Sequence, residues 1–317
     1  MVKLILTHLF GPFEAELRAA FERAKTAAGE SATDVTLEIA DRALDGKINA
    51  EFAALPDARR IRVTWNGIAS LWASSQGFAR LSRRMFDGTR AKLERLEIPA
   101  GSELERGLFL LELSRRLSKS DLRFGANSEP EWMPWAPRPE ANANNEDDLT
   151  GNRFLLGAFA WILRHELAHI VLGHGAPEVG ETTTLGYEQQ ADAKATEWLK
   201  GPLESDPARL PGQNPAKEEL ELEARGIFMG IAILWIGLYE KHVGIRAVTH
   251  PPVAERLFEC FDRLGLARDS AAAEIIAHSI QVWIDPQGGW SNPETPFQNS
   301  SEFLTEAAIK LQRYMAG

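Results

Sequence analysis

The chain has 317 residues, 44% hydrophobic and 25% charged, an ordinary globular balance that excludes collagen-like repeats, coiled-coil fibres and wholesale disorder. Its 45 acidic against 35 basic residues leave a net charge of −10, so no nucleic acid and no anionic membrane surface is expected as main partner, because both are bound through clustered Lys and Arg. The single cysteine, Cys260, excludes an intrachain disulfide framework and a multi-thiolate zinc site, and it suits a reducing, cytoplasmic setting.

The N-terminal stretch MVKLILTHLFGPFEAEL has one Lys and a short apolar run broken by His8 and Gly11–Pro12, without the small-residue cleavage pattern of a signal peptide. It reads as a first strand. Period-two alternation predicts strands at Val35–Ile39 and Ile61–Trp65, and apolar residues at helical spacing predict helices over Phe13–Ala27 and Leu104–Leu117. Residues 1–122 are therefore expected to form a mixed α/β region. From 123 to 152 the composition shifts to Pro, Asn and acids without apolar periodicity, the mark of a linker or long surface loop. Its Trp132 and Trp135 either pin that loop to the surface or cover a cleft.

Residues 153–317 read as mainly helical. A nearly all-apolar helix runs from Phe154 to His174, with Asn152 as N-cap and Gly175 as stop. A second spans Tyr187–Lys200, ended by Gly201 and Pro202, and a polar loop follows at Glu204–Lys217. The most apolar run, Gly226–Tyr239, falls short of the ~20 residues needed to cross a bilayer, so no membrane span is expected and the segment reads as a buried helix. Thr249–Leu257, THPPVAERL, opens another helix at Pro252. A Pro/Gly/Asn-rich loop, Asp285–Ser300, precedes a closing helix at Glu302–Tyr314. The fold class that follows is α+β.

Chemistry concentrates in His165-Glu166-Leu167-Ala168-His169. Positions i and i+4 of a helix differ by about 40° around its axis, so both imidazoles leave one face and can grip one metal ion, with Glu166 beside them. Buried in an otherwise apolar helix without a partner, these groups would be costly, and a divalent cation supplies one. A zinc hydrolase needs a third protein ligand and an open fourth position. On a continuing helix His174 would lie about 140° and 180° away from His169 and His165, so it reads as a helix-terminal residue meeting the dipole. Glu188 is the better third ligand, with Asp192 one turn further on to accept a hydrogen bond from a liganding imidazole. The competing reading of that pair is a solvated acidic face.

HELAH followed by an E-x-x-x-D helix resembles the gluzincin metallopeptidases. THPPVAERL resembles the His-Pro motif of the family containing the CAAX prenyl endopeptidases and the heat-shock protease HtpX. The resemblance implies a zincin-like, mainly helical core with one Zn2+ per chain. It also implies His165, His169 and Glu188 as ligands, Glu166 as general base, Asp192 as orienter, His250 near the scissile carbonyl and Arg256 structuring the site. That family is membrane-embedded or exported and carries a longer insertion between its metal helices, which this chain lacks. The overall layout and the stretch GNRFLLGAFAWILRHELAHI also resemble the Lit-type phage-exclusion peptidases, which cleave a host protein. The function expected is thus metal-assisted hydrolysis of a peptide bond in a protein or peptide substrate. The alternatives are a zinc-stabilised peptide sensor or scaffold with little turnover, and hydrolysis of a non-peptide amide. Neither oligomeric state nor substrate identity follows from the sequence.

Overall fold

A computed structural model of the chain describes residues 2–47, 49–90, 98–119, 136, 138–140, 143–174, 181–200, 215–243, 251–267, 269–284 and 299–316. In chain order these form α1 (Val2–Phe10), α2 (Glu14–Ala28), β1 (Thr36–Ala40), β2 (Phe52–Leu55), β3 (Arg60–Thr64), α3 (Trp65–Arg90) and α4 (Glu103–Ser118). They continue with α5 (Glu146–Val171), α6 (Glu181–Lys200), α7 (Pro215–Val243), α8 (Val253–Leu264), α9 (Ala271–Ile284) and α10 (Ser300–Ala316). The fold is mostly helical with one small three-stranded sheet, an α+β arrangement.

The sheet has the order β1-β3-β2, with β1 parallel and β2 antiparallel to β3. Along β3, Ile61 and Val63 are buried while Arg60 and Arg62 are partly exposed, as the two-residue period of a half-covered strand requires. The chain passes from β3 into α3 without a loop, because the Thr64 hydroxyl accepts the Gly67 N–H at 3.1 Å and so caps the new helix.

The N-terminus is a helix, α1, and not the expected strand. Its apolar run has no alternation to hold a sheet register, whereas Leu6 and Phe10, one turn apart, both enter the core and Phe10 packs edge-on against Trp72 with ring centroids 5.4 Å apart. The predicted linker also ends early. Helix α5 begins at Glu146, where the Asn145 side chain accepts the Asp148 N–H at 2.8 Å and three acids fill the first turn. Asn152 is therefore no cap. It is buried inside α5, accepting from Gln76 at 3.0 Å and donating to the Glu140 carbonyl at 2.7 Å. Trp132 and Trp135, and residues 285–298 of the predicted final loop, lie outside the described residues, as do 201–214. Lys217 belongs to α7.

One main core cluster runs from Leu6 to Leu311 and passes through α5, which touches α2, α3, α6 and α7. Helix α5 approaches α7 so closely at Gly157 that a Cβ there would lie 2.1 Å from the Phe228 ring. The buried segment at Gly226–Tyr239 is the middle of α7, a longer helix than the sequence suggested. By length and composition Glu146–Val171 and Glu219–Lys241 could each cross a membrane, but 67% and 56% of their apolar windows are buried inside the fold.

Candidate metal centre

The centre of the site is the C-terminal half of α5, where His165 is buried and Glu166 and His169 are half-buried. Helix α6 packs alongside and presents Glu188 and, one turn later, Asp192, both buried. Three potential ligand groups converge. The Nε2 atoms of His165 and His169 are 3.2 Å apart, and Glu188 places Oε2 3.2 Å from the first and Oε1 3.4 Å from the second. Among the described residues this is the group of His, Cys, Asp and Glu side chains that offers three donor atoms within 4.8 Å of one another.

A second layer fixes His165. Its Nδ1 faces Asp192 Oδ1 at 2.9 Å, and Asp192 is gripped by Arg256 of α8, which donates from Nε at 2.7 Å and from Nη2 at 2.8 Å. The His165 ring also stacks on Trp161, whose indole N–H lies 3.4 Å from Thr196 Oγ1, and the Thr196 hydroxyl donates to the Asp192 carbonyl at 2.8 Å. Burial opposes a charge on His165, but the carboxylates of Asp192 and Glu188 outweigh it and push the imidazole up to about 10 in the metal-free protein. Burial likewise pushes the Asp192 carboxyl up, yet Arg256 and His165 together hold it below the usual carboxylate value. The solvated acidic face is thus not what these two residues form.

Glu166 stands beside this cluster, near a carboxylate that sequence reading did not single out. Glu51, just before β2, is raised above the ordinary Glu value mainly by burial, and the charge of Glu166 adds to that rise. His250 lies outside the described residues, although the segment it precedes does open a helix at Pro252, the N-cap of α8.

His174 is not where a continued helix would put it. The C-terminus of α5 closes with Gly173 at φ +69°, the His174 N–H donating to the His169 carbonyl at 3.0 Å and the Gly173 N–H to that of Ile170 at 3.2 Å. This is the Schellman pairing, in which the chain reverses across a left-handed residue. Gly173, and not Gly175, is the operative stop. The reversal returns the buried His174 ring to His169, Nδ1 to Nδ1 at 2.9 Å, with its Nε2 3.2 Å from Gln190 Oε1 and its face stacked on Tyr187 at 4.2 Å. Burial holds His174 below the ordinary imidazole value. Gln190 and Tyr187 were not singled out from the sequence. The signal that leads to His174 is the glycine four residues after His169; only the packing of α6 brings Tyr187 and Gln190 to it.

A protein of Escherichia coli (strain K12) named "Cell death peptidase" is 28% identical to the chain over 205 residues, 64% of this chain and 62% of that protein. The chain therefore spans less than two thirds of the length of this relative. No solved structure matches it. The profile of the family described as Peptidase U49 matches residues 61–276, a span that contains the three converging side chains, Asp192 and Arg256. These matches favour the resemblance to Lit-type peptidases and not the prenyl endopeptidase group: the chain belongs to the Peptidase U49 family.

Proposed function

We propose that the chain is a zinc-dependent peptidase in which His165, His169 and Glu188 hold one zinc ion and Glu166 is the general base. The observation that carries this reading is the spacing of the donors. Zinc–ligand bonds of about 2.0–2.2 Å in a tetrahedron put neighbouring donors about 3.3–3.6 Å apart; the two imidazole Nε2 atoms are 3.2 Å apart, and the Glu188 carboxylate reaches one with Oε2 at 3.2 Å and the other with Oε1 at 3.4 Å. Two imidazoles and one carboxylate are also a donor set that leaves a fourth position free for water and substrate.

Zinc would supply Lewis acidity, making a water acidic near neutral pH and polarising a carbonyl. The remaining work falls to the chain. Glu166, half-buried and one residue after His165, accepts the proton of the attacking water and passes it to the leaving amine. The Asp192 carboxylate, 2.9 Å from His165 Nδ1, favours the tautomer that carries its proton on Nδ1 and so leaves Nε2 unprotonated towards the other two ligands, while Arg256 keeps that carboxylate charged and oriented. His250 would stand near the scissile carbonyl and donate to the developing oxyanion.

Peptide bonds of a protein substrate are the proposed target because of the family and its relative's name, and the single cysteine is the ground for proposing a reducing, cytoplasmic setting. The test is metal analysis and a proteome-wide cleavage screen on wild type, His165→Ala and Glu166→Gln. Wild type should carry about one zinc per chain and cleave; His165→Ala should lose both properties. Glu166→Gln should keep the zinc and lose cleavage, since an amide of the same shape cannot take the water's proton. Near-normal cleavage by Glu166→Gln would remove the base assignment, and stoichiometric tight zinc in His165→Ala would remove the site.

A further inference from the structure

Resting on the metal reading above, we propose that His174 is a positioning residue that fixes His169 for metal binding, with Gln190 setting the proton pattern of both rings. The geometry leaves little freedom in that pattern. Two Nδ1 atoms 2.9 Å apart share one proton, since two lone pairs or two N–H groups would repel. At the far end of the chain of contacts stands the Gln190 amide oxygen, which has no hydrogen, so the His174 Nε2 that meets it at 3.2 Å must donate. A His174 whose one proton is on Nε2 has its lone pair on Nδ1. It therefore accepts from His169 Nδ1–H, and the His169 lone pair is left on Nε2, the atom that faces His165 Nε2 and Glu188 Oε1.

Each contact thus dictates the next, from an exposed amide to a ligand nitrogen. The Tyr187 ring, parallel to His174 within 10° at 4.2 Å, sets the plane in which this happens, and Gly173 delivers the residue to it. The two imidazoles of the site are held by different chemistry: His165 by a carboxylate locked to an arginine, His169 by a second imidazole. Such outer partners commonly change metal affinity by about 10–100-fold when removed.

Two substitutions separate positioning from packing. His174→Phe keeps a ring on Tyr187 but has no acceptor, whereas His174→Asn loses the ring and offers its amide oxygen near the place of Nδ1. The measurements are zinc affinity of the full chain by competition with a chromophoric chelator, visible absorption of the cobalt-loaded protein, and melting of the metal-free protein. His174→Phe should bind zinc about 10–100-fold more weakly, with altered cobalt bands and a metal-free melting temperature close to wild type. His174→Asn should return to within about threefold of wild type. Wild-type zinc affinity in His174→Phe, or a His174→Asn as weak as His174→Phe, overturns the proposal. Should His174→Phe not fold, Gln190→Leu at its exposed position decides: a loss on the order of threefold or more is expected, and unchanged affinity overturns the relay. If wild type itself takes up no zinc, the metal reading fails and this inference with it; if wild type binds and His174→Phe matches it, this inference alone fails.

Discussion

Replacing Arg256 with Met tests whether the Asp192–Arg256 pair is held as tightly as its geometry implies. Arg256 is 2% and Asp192 4% exposed, and the guanidinium makes two bonds of 2.7 and 2.8 Å to one carboxylate. Methionine fills the volume of the arginine stem, so the change removes charge and hydrogen bonds more than packing. Breaking a buried pair by deleting one partner costs about 3–5 kcal/mol, because a charge is left without compensation. At pH 7 the metal-free protein retains some compensation, since His165, pushed up to about 10, is still protonated 2.9 Å from Asp192. The expected loss is therefore at the lower end, about 3 kcal/mol. Urea unfolding in the presence of a chelator, followed by far-ultraviolet circular dichroism and read from the midpoint at constant slope, measures it. Adding Asp192→Leu should recover part of the loss, as apolar replacement of a whole pair is often neutral, and the coupling between the two changes should be about 1–3 kcal/mol. A cost for Arg256→Met below about 1 kcal/mol would refute the reasoning.

The raised His165 gives the metal-free protein a pH signature. A folded-state pKa near 10 against an ordinary value of 6.5 adds stability that is fully present below pH 6.5 and is lost as pH climbs towards 10. Urea midpoints of chelated protein should therefore fall between pH 7 and 10, and a flat profile, or one that persists in His165→Ala, would sink that assignment. Gly173→Ala should cost about 1–2 kcal/mol for placing a Cβ in a left-handed conformation, with no steric addition because nothing lies within 4 Å of that Cβ. Gly173→Asn should cost less in the same denaturation series, and equal costs would argue against a backbone origin.

What the sequence made legible was whatever rested on unbroken local pattern. The cores of β1, β3, α2 and α4 were predicted almost to the residue, and so was the HELAH face. Helix α3 was not, because it is buried nearly all round and mixes polar with apolar residues there: Ser70 and Ser114 bond each other across the α3–α4 contact, and Asn66 donates to the Leu117 carbonyl. Polar side chains satisfied by a neighbouring helix break the hydrophobic period without exposing the face. His174 was misplaced for a different reason. The 100° per residue of a helix does not extend beyond Gly173, where the chain reverses and turns His174 back towards His169. Glu51 carried no local signal, since only the packing of β2 against α5 brings it near Glu166.

Helix α5 is pinned at both ends, and this bears on how far a perturbation of the site can travel. Near its start, buried Arg80 of α3 binds Asp148, holds Glu103 of α4 at 2.9 Å and Gln76 at 2.7 Å, and Gln76 reaches Asn152. Near its end stand Asp192, Arg256 and the ring of His174. Between these brackets α5 touches its neighbours largely through Phe, Leu, Ile and Ala side chains, which resist separation but exert little directional hold along the axis. The bracket at Arg80 therefore acts as an axial gauge for a cluster about 25 Å away along the helix. Arg80 and Gln76, at the opposite end of α5 from the cluster, thus share in setting the height at which His165 and His169 meet Glu188.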